Sequence, residues 1–259
     1  LADLYVNDAF SVCHRLHASV VGITKFLPSY AGLLLIKEVN SLDQVLNYPA
    51  HPLVILMGGA KINTKLNILT RFLSVADHIL LAGGLANNFF LARGAQIGRS
   101  IKQTELLSST KKLLNQPNII LPIDCRIGNL TVKNKLVKTV HLNSKKQKIC
   151  SSTEAILDVG PATRQLFAKY IKKAKMIIWN GPLGLFEDKR YAQGTKKVWQ
   201  IIAKQSKAKI IIGGGDTLAC LPKRISQKNI FLSLGGGAML KFLAGQSMPG
   251  LTPLIKNIK

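Results

Sequence analysis

Acidic side chains are scarce: 12 Asp and Glu stand against 36 Lys and Arg in 259 residues, a formal net charge of +24 and a sequence pI of about 10.1. Such an excess attracts polyanions and phosphorylated metabolites without dictating a fold. Aromatic residues make up only 6%, the lysines are spread along the chain, and no RNA- or DNA-binding motif accompanies them. A dedicated nucleic-acid reader is therefore disfavoured, and no specific nucleic acid is expected as a partner. Cysteine is equally sparse. Cys13, Cys125, Cys150 and Cys220 lie far apart with no CxxC pair or Cys/His cluster, which excludes zinc-type spacing and a disulfide scaffold and points to free thiols in a reducing cytoplasm. No apolar run approaches the roughly 18 residues of a membrane span. The best stretch, Ile79 to Ala92, is broken by Gly83-Gly84 and Asn87-Asn88. The opening Leu-Ala-Asp-Leu-Tyr has neither a basic n-region nor a starting Met, so it does not read as a signal peptide. A cytoplasmic monomer acting on small molecules, with no membrane partner, is expected.

Hydrophobic residues are not lacking. They make up 47% of the chain, mean hydropathy is +0.19, and one large domain, or one domain plus part of another, fits the length. A short apolar run, then glycines, then a helical stretch recurs five times. Leu53 to Met57 leads into Gly58-Gly59, His78 to Leu81 into Gly83-Gly84, and Lys175 to Trp179 into Asn180-Gly-Pro-Leu-Gly184. Lys209 to Ile212 leads into Gly213-Gly214-Gly215, and Asn229 to Ser233 into Gly235-Gly236-Gly237. Apolar runs without alternation predict strands buried on both faces. Strand, turn and helix in succession predict an α/β fold: a parallel, doubly wound, Rossmann-like sheet with helices on both faces. Twelve of the 21 glycines sit in these clusters, at the carboxyl edge where such sheets bind ligands. Residues 1–35 lack the rhythm and lead into a helical pattern over Ala31 to Leu46. Residues 99–150 are strongly basic, and the alternating Leu130 to Val137 run predicts a strand or hairpin.

Glycine after a strand lets backbone approach a ligand, and the following helix offers free N–H groups and a positive dipole end. Phosphate is the natural guest, yet neither G-x-x-x-x-G-K-[ST] nor G-x-G-x-x-G occurs. Gly58-Gly-Ala-Lys-Ile-Asn-Thr-Lys65 stands instead, with Lys61 and Lys65 four apart on one face of a helix start. The dipole disfavours cations there, so a polyanion opposite them would account for both. Asp216, in Gly213-Gly-Gly-Asp-Thr217, is suited either to cap a helix or to hold Mg²⁺ against phosphates. Glu187 suits ribose hydroxyls or stands as an ordinary surface carboxylate. The basic cluster His14-Arg15-Leu-His17 offers a bidentate anion grip, or a structural ion pair between Arg15 and Asp8.

Taken together and in order, Asn7-Asp-Ala-Phe10 with His14-Arg15, Gly58-Gly-Ala-Lys-Ile-Asn-Thr-Lys65, Ala82-Gly-Gly-Leu-Ala-Asn87, Trp179-Asn-Gly-Pro-Leu-Gly-Leu-Phe-Glu187, Gly213-Gly-Gly-Asp-Thr217, Gly235-Gly-Gly-Ala238 and Met248-Pro-Gly-Leu251 resemble phosphoglycerate kinase over nearly the whole chain. The resemblance implies reversible, Mg²⁺-dependent phosphoryl transfer between 1,3-bisphosphoglycerate and ADP, giving 3-phosphoglycerate and ATP. It implies nucleotide binding by Gly59, Lys65, Gly83, Gly84, Asn180, Pro182, Glu187, Gly213, Gly214, Gly215, Asp216 and Thr217, with Asp216 holding the metal. Lys61, Gly215 and Gly237 would serve the transferring group, and His14 and Arg15 the acid substrate. Phosphoryl transfer asks for positioning and charge neutralisation, which these parts suit.

The family has two hinged domains. On that pattern residues 1–35 would be a remnant of the substrate domain, residues 36–49 the interdomain helix, residues 50–244 the nucleotide domain and residues 245–259 a tail that returns to the first domain. Apolar surface on residues 1–35 and on the tail is then expected to be exposed, and the chain is expected to bind nucleotide with impaired turnover. An inactive truncated product and a basic nucleic-acid-binding protein are the competing expectations. Leu234 and Met239 stand in the last glycine loop where the family usually carries hydroxyl residues.

Overall fold

The computed structural model describes residues 2–129, 137–144 and 146–254. Residues 130–136, most of the run expected to be a strand or hairpin, lie outside the described residues. The central feature is a six-stranded sheet of β3 (Leu53–Met57), β4 (His78–Leu81), β6 (Ile119–Ile120), β11 (Met176–Asn180), β12 (Lys209–Gly213) and β13 (Ile230–Ser233). Its order is β13-β12-β11-β3-β4-β6, and every pairing is parallel. The chain therefore winds outward from β3 to β4 and β6 on one side, and from β11 to β12 and β13 on the other. The reversal falls between β3 and β11, which is where an open α/β sheet leaves a crevice at its carboxyl edge.

Apolar runs become double-sided strands because successive residues point to opposite faces. Leu53, Ile55 and Met57 join one core, while Val54 and Leu56 join the other. The first core is covered by α1 (Leu33–Asn47), α2 (Ile62–Phe72), α3 (Gly83–Ala92) and α8 (Gly236–Leu243). The second is covered by α5 (Pro161–Lys173) and α6 (Gln193–Ile202). The predicted doubly wound architecture is present. The helix expected over Ala31 to Leu46 runs two residues later at its start, and the short helix α7 (Gly215–Ala219) follows β12.

A basic outlying region carries α4 (Leu107–Lys112), the antiparallel sheet β10-β7-β8 and the pair β5-β9. Its strands are β5 (Gln96–Ile97), β7 (Asp124–Gly128), β8 (Lys138–His141), β9 (Lys148–Cys150) and β10 (Ala155–Val159). All four cysteines are free thiols. Among the described residues no helix is long and apolar enough to cross a membrane.

Residues before α1 form a parallel pair, β1 (Tyr5–Asn7) with β2 (Ser29–Ala31), and short helical turns. As expected for residues 1–35, large apolar groups are exposed: Leu16, Phe26 and, at the start of α1, Leu33 are 80%, 82% and 86% accessible. The same expectation fails for the described part of the tail, residues 245–254. Met248, Leu251 and Leu254 are buried, and the Gly250 N–H donates to the Cys13 carbonyl at 2.8 Å. Gly250 thus lies against Cys13 and Val20, and the three apolar side chains join the core that also holds Phe10 and Cys13. Glu38 of α1 is buried and accepts from the Leu234 N–H at 2.8 Å, so the helix after the N-terminal region is tied to the last glycine loop. Burial raises that carboxyl's pKa.

Candidate functional site

The crevice at the switch point is built by backbone meeting backbone. The Gly58 N–H donates to the Asn180 carbonyl at 2.9 Å and the Gly59 N–H to the Pro182 carbonyl at 2.7 Å, which joins the loops after β3 and β11. A Cβ on Gly58 would overlap the Pro182 carbonyl. Asn180 is buried and its side-chain N–H donates to the Gly213 carbonyl at 2.9 Å, which joins β11 to β12. The Thr217 hydroxyl accepts from the Gly181 N–H at 2.7 Å and donates to the Gly213 carbonyl at 2.9 Å. Asn180 and Thr217 therefore hold loops in place with their side chains.

Two adjoining cavities open above this framework, and they divide the predicted residues between them. The larger, about 790 Å³, is lined by Lys61, Lys65, Asn180, Gly214, Gly215, Asp216, Thr217 and Gly237, and by His14 and Arg15 at its far end. The smaller, about 240 Å³, is lined by Gly59, Gly83, Gly84, Pro182 and Glu187, with Asp216 and Ala60 shared between the two. Its walls are mostly apolar: Ile101, Ile156, Leu157, Leu183 and Phe186. Gly213 lines neither cavity. It is buried at the end of β12, where a Cβ would press on the Met239 sulfur. Met239, buried, thus packs beneath the loop, while Leu234 is 63% accessible at the larger cleft.

Lys65 does not lie on the surface beside Lys61. It is buried, and its ammonium donates to the Gly58 carbonyl. Lys61 precedes the first residue of α2 and is exposed. Burial lowers the Lys65 pKa to about 8, against the pull of Asp216. A buried ammonium held by one carbonyl is a charge awaiting a counterion. Asp216 lies in the first turn of α7 and makes no capping hydrogen bond. It is exposed and its carboxylate accepts no hydrogen bond and forms no ion pair among the described residues, so the capping alternative does not hold. Nor does the Asp8–Arg15 pair form. Asp8 accepts from the Leu35 N–H at 2.9 Å at the start of α1, and Arg15 is exposed with no ion pair among the described residues.

Gly215 and Gly237 differ from the other glycines. A Cβ at either would meet nothing within 4 Å, and neither has a positive φ. Their bareness has no packing or backbone cause, and both face the larger cleft. A ligand passing close to backbone explains it. Gly215→Ala and Gly237→Ala are expected to keep the wild-type thermal midpoint to within about 2 °C, while inorganic polyphosphate binds about tenfold more weakly, read by titration calorimetry. A midpoint drop beyond about 5 °C would mean the glycines serve the fold.

Periodicity and motifs did not expose the apolar walls, Ile101 and Leu157 among them, because these come from β10 and from the segment after β5. Asp158 was missed as well. It lines the smaller cavity from β10, and its carboxylate accepts from the Gly194 N–H at 2.7 Å and the Val159 N–H at 2.9 Å. Burial nevertheless pushes it up to about 7. The only sequence signal for it was an acidic residue inside an apolar strand.

The arrangement therefore offers an apolar slot opening onto a cationic, backbone-lined cleft. Among the described residues no group of three or more His, Cys, Asp or Glu forms a metal cage. The profile of the family described as phosphoglycerate kinase matches residues 1–246. The phosphoglycerate kinase of Baumannia cicadellinicola is 39% identical over 261 residues, covering 100% of this chain and 65% of its own length. That of Pseudothermotoga lettingae is 40% identical over 265 residues, covering 100% of this chain and 66% of its own. Among solved structures, phosphoglycerate kinase from Coxiella burnetii superposes with a TM-score of 0.86 at 36% identity, over 100% of this chain and 67% of that one. The Pyrococcus horikoshii enzyme gives 0.83 at 30% identity, over 97% and 64%. The chain spans about two thirds of the length of the relatives it matches.

Proposed function

This chain belongs to the phosphoglycerate kinase family, and from that premise we propose that it carries the nucleotide half of reversible phosphoryl transfer between 1,3-bisphosphoglycerate and ADP. The observation that carries this reading is the pair of adjoining cavities, one apolar and one cationic, meeting at Asp216. ADP or ATP spans both. The base lies in the slot against Ile101 and Leu157, the Glu187 carboxylate accepts a ribose hydroxyl, and the phosphates run into the cleft. Residues 1–35 stand as the fringe of the acid-substrate domain, residues 36–49 as the helix between domains, residues 50–244 as the nucleotide domain and residues 245–259 as the returning tail.

Asp216 suits Mg²⁺, which keeps most of its waters and shares substrate phosphates with one or two carboxylates. When bound, the ion supplies positive charge across the phosphate oxygens. The chain does the rest by position. Lys65 moves its proton-bearing nitrogen from the Gly58 carbonyl to the nucleotide phosphate. Lys61 neutralises the group in transfer, and bare backbone at Gly215 and Gly237 admits it. His14 and Arg15 hold the acid at the far end. None of these steps asks the protein for a covalent bond. With His14 and Arg15 as the acid grip from the N-terminal region, the 259 residues are expected to bind nucleotide well and turn over poorly.

Titration calorimetry of MgADP into the purified chain tests this reading. Saturable one-to-one binding is expected, and no heat from a folded sample overturns it. The pH dependence follows from Lys65. In the free protein its ammonium loses a proton near pH 8, while bound phosphate keeps it charged. Affinity should therefore be flat below about pH 8 and fall above it by up to tenfold per pH unit, one proton being taken up on binding. A flat profile to pH 9.5 would remove Lys65 from the contact.

A further inference from the structure

The far end of the cleft holds more positive charge than the reading above uses. Lys241, in the last turn of α8, lines the same cleft as His14, Arg15 and Gly237. It is half-buried, and no ion pair among the described residues neutralises it. Phe242 packs edge-on against Phe10, with ring centroids 6.0 Å apart, so α8 is fixed against the turn that carries His14. The consequence is visible on the histidine. Burial first, then Lys241, then Arg15 hold the imidazole below its ordinary pKa, against a hydrogen bond with the Ser11 backbone.

A lysine whose stem merely covers apolar surface turns its ammonium toward open water, away from other cations. Lys241 instead acts on His14 and shares a cavity wall with Arg15. Like charges gathered with no carboxylate among them repel. Asp216, the one acidic residue among the described residues that line this cleft, is shared with the apolar slot. A small anion between α8 and the N-terminal turn relieves the repulsion.

We propose that Lys241 is a further substrate-binding residue, whose ammonium joins His14 and Arg15 in holding an anionic group of the phosphorylated acid. The proposal rests on the functional reading above. It adds a contact from the last helix of the nucleotide domain, so that the acid is gripped from two separate parts of the chain. Lysine suits this task as a point charge on a flexible stem that follows the anion.

The test uses the full 259-residue chain with 3-phosphoglycerate, inorganic phosphate and MgADP as separate probes, followed by NMR chemical shifts. In Lys241→Met, 3-phosphoglycerate should bind about tenfold more weakly, near 1.4 kcal/mol, while MgADP binds as to wild type. Lys241→Arg should restore 3-phosphoglycerate affinity to within about twofold, which a purely structural lysine would not require. Phosphate weakened as much as 3-phosphoglycerate assigns the contact to the phosphoryl group. Phosphate unchanged assigns it to the carboxylate. Equal binding of 3-phosphoglycerate to Lys241→Met and wild type overturns the proposal alone, even if the His14 titration moves up. Equal weakening of MgADP also overturns it, since the effect is then one of general field or fold. Wild type that binds MgADP but not 3-phosphoglycerate overturns both this proposal and the acid-binding reading.

Discussion

Asp216→Ala is expected to weaken MgADP binding by about a hundredfold or more, near 2.7 kcal/mol, with the thermal midpoint unchanged to within about 2 °C. The side chain makes no capping bond and is exposed, so the fold loses nothing by its removal. Binding loses the protein's one acidic ligand in that cleft for the ion. The decisive control is metal removal. In EDTA the variant should bind ADP no worse than wild type, because a carboxylate facing phosphates without a cation between them only repels. A second signature follows from Lys65, whose ammonium Asp216 helps keep charged. The alkaline fall in affinity should begin at lower pH in the variant. Equal loss of affinity with and without Mg²⁺ would sink the metal role and point to a structural one.

Gly181→Ala should have the largest effect on stability, about 2–5 kcal/mol by denaturant unfolding. Gly181 has a φ of +95°, a region that costs a side-chain-bearing residue roughly 1–2 kcal/mol. The added Cβ would also overlap the Gly58 carbonyl and crowd the Lys65 ammonium, and a rigid backbone contact of this kind costs about 1–3 kcal/mol more. The Lys65 ammonium can swing aside, but the Gly58 carbonyl cannot retreat cheaply, since Gly58 is tied to Asn180 and Gly181 to Thr217. Nucleotide binding should fall with stability, because both cavities are framed by this contact. A loss under 1 kcal/mol would show that the loops after β3 and β11 are not locked together as described.

The two substitutions show how differently one sequence signal can resolve. Five glycine clusters after apolar runs read as one phosphate-binding edge, and the edge is where expected. Within it, Gly58 and Gly181 serve backbone against backbone, Gly213 is buried under Met239, and only Gly215 and Gly237 stand bare toward the cleft. The residues alone do not separate these cases. What distinguishes them is which strand end lies opposite, and that depends on pairing β3 with β11 across more than 100 positions of chain. Lys61 and Lys65 are similar. Their spacing suggested one shared face, but the helix begins between them, leaving the first in solvent and folding the second beneath the glycine loop.

By itself, the sequence determined the strand runs, their double-sided burial, the carboxyl-edge glycines and the order of motifs. These rest on short-range chemistry: apolar continuity, glycine's missing Cβ and the free N–H groups of a helix start are all local. Tertiary structure alone decided the division into an apolar slot and a cationic cleft, the apolar walls Ile101 and Leu157, the Asp158 carboxylate beneath them and the facing of Lys241 on His14. It also decided that the large apolar side chains of residues 245–254 are buried. Gly250 closes onto Cys13 and Val20, and Met248, Leu251 and Leu254 enter the core that also holds Phe10 and Cys13, a meeting of distant stretches that no local pattern encodes. Burial of apolar surface sets which distant segments meet, and the field at each titratable group follows from that meeting.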